Sequence, residues 1–178
     1  MKKTFLASAL LALCFVASAA DKDTKAAMKG ATKVVWAGID FSMVRLIDPK
    51  EFNDPSAIFP GYLETWNNLF VYERIPHVEL ATKKLVVIDI AGVMERNKTA
   101  TSKQIILTPG DDDTIKKTHI TEQDIAQAVQ SYKMENKSGL AAVFIVDRFI
   151  KQVYQAVRGN QVSQGAAAVY VVFFDIYA

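Results

Sequence analysis

Two apolar stretches near the C-terminus constrain this chain more than anything else in it. Gly139–Asp147 (GLAAVFIVD) and Ala167–Tyr177 (AAVYVVFFDIY) are dense runs of β-branched and aromatic residues, each about one strand long. Burying one Val, Ile or Phe side chain is worth about 1.5–3 kcal/mol, so two such runs side by side form the centre of any core. They fix where the hydrophobic mass sits and say almost nothing about chemistry.

The N-terminus sets the destination. Lys2 and Lys3, an apolar run from Phe5 to Val16, and Ser18-Ala19-Ala20 read as a secretory signal peptide over residues 1–20. The apolar run is too short for a span, which takes about 20 residues. A lipid-anchored reading needs a small residue before the acceptor cysteine, and Leu13 precedes Cys14. The formal charge of +2 comes from Lys2 and Lys3 alone, leaving 19 basic and 19 acidic residues from Asp21 onward. A chain without net charge argues against nucleic acid, which calls for a basic face. Cys14 is the single cysteine and would leave with the signal, taking disulfides, thiolate metal sites and cysteine nucleophiles with it. The expected product is a secreted or periplasmic protein of about 158 residues with no membrane anchor, enough for one domain.

In chain order, residues 21–31 read as a flexible leader and residues 32–178 as the domain. Lys33–Phe41 is a strand, with Gly38 marking a bulge, continuing through Met43–Ile47 until Asp48-Pro49 stops it. Asn53-Asp54-Pro55 is a helix start interrupted by Pro60. The main helix therefore begins there, with Tyr62, Leu63, Trp66, Leu69 and Phe70 inward, Glu64, Asn67 and Asn68 outward, and Pro76 as its end. Leu85–Ile90 is a further strand, broken by Ala91-Gly92. From Val93 to Lys117 the chain is polar and poorly periodic except at Ile105–Leu107, with a turn at Pro109–Asp113.

Thr121 with Asp124 forms a capping box, Ile120 staples to Ile125, and the helix runs toward residue 136 before Gly139. Phe149–Val157 fits a helical or a strand period, and residues 158–165 read as a polar loop. An extended arm needs no new element, so the last two strands are expected to form a hairpin. No internal repeat occurs. The final strand ends on apolar residues without a polar cap, an aggregation liability unless it is central or a partner or missing segment pairs with it.

Four strand candidates each carry one aspartate: Asp40, Asp89, Asp147 and Asp175. Carboxylates at strand ends on one rim could bind a divalent cation or form an acid–base pair. The plainer expectation is that they face solvent or pair with Arg45, Arg96 or Arg148. His77 and His119 are the only imidazoles and lie too far apart in sequence for a zinc spacing. Asp111–Asp113 lacks the alternating ligands and distal glutamate of a calcium loop. Trp36, Trp66 and Tyr72 could line a ligand groove, although aromatics at such periods usually form core. Asn97-Lys-Thr99 and Asn136-Lys-Ser138 are chance glycosylation matches, and no phosphate-loop, dinucleotide or nucleophile-elbow motif occurs.

Trp36–Ser42 (WAGIDFS), Ile120–Ile125 (ITEQDI) on to Tyr132, Gly139–Val146 (GLAAVFIV) and Val171–Ile176 (VVFFDI), in that order, resemble a family of small uncharacterised exported proteins of Bacteroides-type bacteria. The resemblance covers about a third of the chain beyond the signal and implies an exported α+β domain, with no activity, cofactor or site to carry over. Family members continue past the equivalent of Asp175-Ile176 with a further strand and a glycine- and aromatic-rich tail. The resemblance therefore implies a truncated or degenerate member.

Together these readings predict one α+β domain built on a single mixed or mostly antiparallel sheet. Its two main helices, near 60–73 and 121–136, are expected to pack on one face. They predict an exported, non-catalytic protein without cofactor that binds another protein or an envelope component, or self-associates through the C-terminal strand. The alternative is a divalent-cation-dependent hydrolase using the strand-end aspartates.

Overall fold

A computed structural model describes residues 22–47, 52, 54–101, 105–106, 119–155 and 161–176. The signal peptide, Asp48-Pro49 and the Pro109–Asp113 turn lie outside the described residues. Helix α1 is Lys22–Gly30 and strand β1 is Lys33–Asp40, followed by the short β2, Arg45–Ile47. A helical turn at Pro55–Ala57 leads to α2, Leu63–Glu73, and α3, Ile75–Thr82. Then come β3 (Leu85–Ile88), α4 (Ala91–Asn97), β4 (Ile105–Ile106) and α5 (Glu122–Ser131). The chain finishes with β5, Leu140–Gln155, and β6, Gln161–Asp175.

The two C-terminal runs lie side by side, as their composition demands. β5 and β6 pair antiparallel from Leu140↔Asp175 to Gln155↔Gln161, a hairpin whose second arm starts four residues before the end of the stretch read as loop. Since β6 occupies one edge of β5 throughout, β1 and β2 share the other. They pair at Val35–Asp40 with Ala141–Ile145 and at Arg45–Ile47 with Arg148–Ile150. β3 and β4 then add outside β1 and β2 respectively.

All of these pairings except β5–β6 are parallel. The expectation of an α+β domain with a mixed or mostly antiparallel sheet is therefore corrected: β1 to β5 run parallel between helices, an α/β fold with one antiparallel edge strand. Helices on one face are corrected too. α2 and α3 cover Val34, Trp36, Ala142 and Phe144, whereas α5 covers Val35, Ala37, Ala141, Val143 and Ile145. The reason is the handedness of parallel crossovers. From β1 the chain steps outward to β3, then back past β1 to β5, and right-handed connections in opposite directions leave their helices on opposite faces.

Local chemistry explains the other departures. Lys22–Gly30 is helical rather than a loose leader, with Met28 packed against the sheet. Pro76 does not end a helix but opens α3, where its missing N–H costs nothing. Gly92 lies inside α4 and not at a break; a Cβ there would meet the Lys133 backbone nitrogen at 2.7 Å. The helix after Thr121 stops at Ser131, because Tyr132 is extended. Its capping box forms as read, with the Asp124 Oδ2 accepting from Thr121 N at 2.8 Å. Gly38 has φ +115° at the point where the β1–β5 register shifts, the bulge its sequence position suggested.

Candidate functional site

Crevices at the carboxyl ends of parallel strands, where strand order reverses, are where α/β sheets usually carry their chemistry. Here β1 is that point, with β3 on one side and β5 on the other. Asp40 closes β1, Asp89 follows β3, and Asp147 lies in β5 beyond the last β1 pairing. Alternation along the strands turns all three toward the α5 face. Asp175 stands opposite Leu140 at the other end, exposed. Three of the four aspartates therefore share a region, and the fourth does not.

Asp40 is fully buried. Its Oδ2 accepts from Tyr132 Oη at 2.7 Å and from Arg96 Nε at 3.1 Å, and its Oδ1 accepts from Ser42 N at 2.7 Å. Arg96 continues to Ser131 Oγ at 3.2 Å. Burial, then the neighbouring Asp40 charge, pushes the Tyr132 phenol far above its usual range, so it stays a donor.

Asp147, 1% exposed, sits at the β5 bulge between Val146 and Arg148. His119 brings its Nδ1 to 2.7 Å and its backbone N to 3.3 Å from the carboxylate, while its Nε2 lies 2.8 Å from the Met43 carbonyl. The ring thus bridges β5 and the segment that follows β1. Arg148 hydrogen-bonds Asp147 directly, and Arg45 stands opposite Arg148 across the β2–β5 pairing. Burial alone would raise the Asp147 carboxyl, but the His119 hydrogen bond and the Arg148 charge outweigh it and hold it below the usual range.

Asp89 is 4% exposed, and its Oδ2 accepts from both the backbone N and the Nδ2 of Asn136, at 2.8 and 2.9 Å. Against the opposing effect of burial, these bonds also keep its carboxyl low. Each buried carboxylate thus has its own donors. Among the described residues, no three His, Cys, Asp or Glu side chains lie together as metal ligands would. Two pair with arginines, Asp40 with Arg96 and Asp147 with Arg148. Of the histidines, His77 is exposed on α3 and His119 is the Asp147 partner. Trp36 lies in the core and borders an apolar groove, Trp66 packs on Phe41 and Phe149, and Tyr72 is 81% exposed. Asp111–Asp113 lies outside the described residues.

Two asparagines do what periodicity did not disclose. Asn67, placed by helical spacing on the outer side of its helix, is fully buried. Its Oδ1 accepts from Ile39 N at 2.7 Å and its Nδ2 donates to Ile39 O at 2.9 Å. Asn97 Nδ2 donates to the same carbonyl at 2.9 Å, and its Oδ1 accepts from Phe41 N at 2.7 Å. β3 stops pairing at Ile88 opposite Trp36, so the β1 backbone beyond has no strand there, and the two amides substitute for one.

The second candidate is an edge. Among the described residues β6 pairs only with β5, which leaves the outer side of a 15-residue strand open. No charged residue occurs in it before Asp175, and its exposed positions include Val171 at 41%. No helix among the described residues is long and apolar enough to cross a membrane. No family model matches the chain, and neither does any curated protein or solved structure.

Proposed function

We propose that this is an exported, non-catalytic binding protein that pairs with a second copy of itself along the outer edge of β6. The observation that supports the reading is that edge. At about 3.4 Å per residue, its 15 residues offer roughly 50 Å of backbone donors and acceptors. Edges of this kind are normally blunted by lysine, proline or a bulge on the strand itself. From Gln161 to Phe174 β6 has neither lysine nor proline, and the β5–β6 register shift falls on β5, at Val146/Arg148. Antiparallel pairing of two β6 strands is self-complementary about a two-fold axis, the commonest oligomer symmetry. It places no like charges opposite each other over the uncharged stretch. Export rests on the N-terminal pattern. The absence of catalysis rests on carboxylates already held by Arg96, Tyr132, His119, Arg148 and Asn136.

Light scattering on the full chain should give a dimer at micromolar concentration. Gly165→Lys, at an exposed position on β6 where an added Cβ would meet the Ile150 carbonyl oxygen at an unstrained 4.0 Å, should shift the chain to monomer without lowering its melting temperature by more than about 2 °C. A wild-type chain that is monomeric at 100-fold that concentration would contradict the reading.

A further inference from the structure

A groove of about 220 Å³ opens on the α2–α3 face, between those helices and the sheet. Its surface is wholly apolar. Trp36 stacks on Phe70 at 4.9 Å, Phe144 stands edge-on to both, and Val78, Val171 and Phe173 complete the mouth. Taking about 30 Å³ per group as for a water molecule, it holds roughly seven methylene-sized groups.

What surrounds the mouth decides what would enter. Lys84 borders the groove, its Nζ donating to Ala31 O at 2.6 Å. That bond brings the end of α1 to the start of β3, and with them exposed Lys29 and Lys83. The nearby acid, Glu79, spends its Oε1 on Val86 N at 2.8 Å. A hydrocarbon slot with Lys84 at its border, and with Lys29 and Lys83 next in the chain to its lining residues Met28 and Thr82, matches a molecule with an alkyl chain and an anionic head.

We infer that this groove binds the alkyl chain of a single-chain carboxylate, its head held by the lysines around Lys84. The groove shares Val171 and Phe173 with β6, but a monomer already presents it whole. Decanoate below its micellar concentration, titrated into the full chain with indole fluorescence as the readout, should bind saturably at one per chain. Val78→Glu sets a carboxylate at the groove mouth from a partly exposed position. It should abolish binding and leave the melting temperature unchanged. The double variant Lys29→Gln, Lys83→Gln should weaken decanoate about tenfold and leave decanol as it was. Failure to saturate, indifference to Val78→Glu, or equal affinity for decanol or decyltrimethylammonium would overturn the inference. So would binding to anionic phospholipid vesicles without binding to monomeric decanoate, which would mark surface adsorption. Light scattering separates these results from any failure of β6 pairing.

Discussion

Replacing Asp147 with leucine should destabilise the fold by about 3–5 kcal/mol, because it removes the anion and leaves the Arg148 cation in place. Arg148 and His119 touch that carboxylate, and Arg45 faces Arg148 across the adjoining pair of strands. At about 2–4 °C per kcal/mol for a chain this size, the melting temperature should drop by roughly 6–20 °C. The same group sets an acid limit. Its folded pKa lies below the value of about 3.9 expected unfolded, so its contribution is fully present above that value. It is lost as pH falls through the folded value. Wild type should therefore lose stability below about pH 4, and Asp147→Asn should show a shallower acid dependence in urea melts at pH 3 to 7. A fall of less than about 1 kcal/mol for Asp147→Leu would mean that the cluster is solvated and does not hold the β5 bulge.

Asn67→Leu should cost about 2–4 kcal/mol, nearly as much, and for a different reason. The Ile39 N–H would be buried without an acceptor, whereas the Ile39 carbonyl would keep Asn97. Asn97→Leu should strand the Phe41 N–H in the same way. Both variants act on one stretch of β1 backbone, so their costs should depart from additivity by more than about 0.5 kcal/mol in a double-mutant cycle. Chemical denaturation measures all three. Additive losses would show that the two amides stabilise their own helices and not the end of β1.

The hydrophobic spine was legible because β5 and β6 have compositions that only buried strands tolerate, and the Thr121 capping box because its signal is local. Strand direction was misread, yet a clue was present. Val34–Ala37 and Ala141–Val146 are unbroken apolar runs rather than alternating ones, the mark of strands covered on both faces. Arg96 and Arg148 were among the partners expected for the strand-end aspartates, but the burial of three of them was not, nor were Tyr132, His119 and Asn136 as donors. Tyr132 reaches Asp40 across 92 positions, a distance no spacing rule covers. Asn67 was hidden more thoroughly. An asparagine next to Asn68, grouped by helical spacing with Glu64, reads as solvent-facing, and only a strand that outlasts its neighbour gives it a buried task. The apolar final strand was also legible, and among the described residues β6 pairs only with β5.

That edge is open to direct measurement by hydrogen–deuterium exchange across Gln161–Asp175 at increasing chain concentration. Alternate β6 amides point away from β5, and with strand addition they should exchange freely in dilute solution and become protected as dimers form, while those bonded to β5 stay protected throughout. Exchange along β6 that does not change with concentration would contradict pairing at this edge.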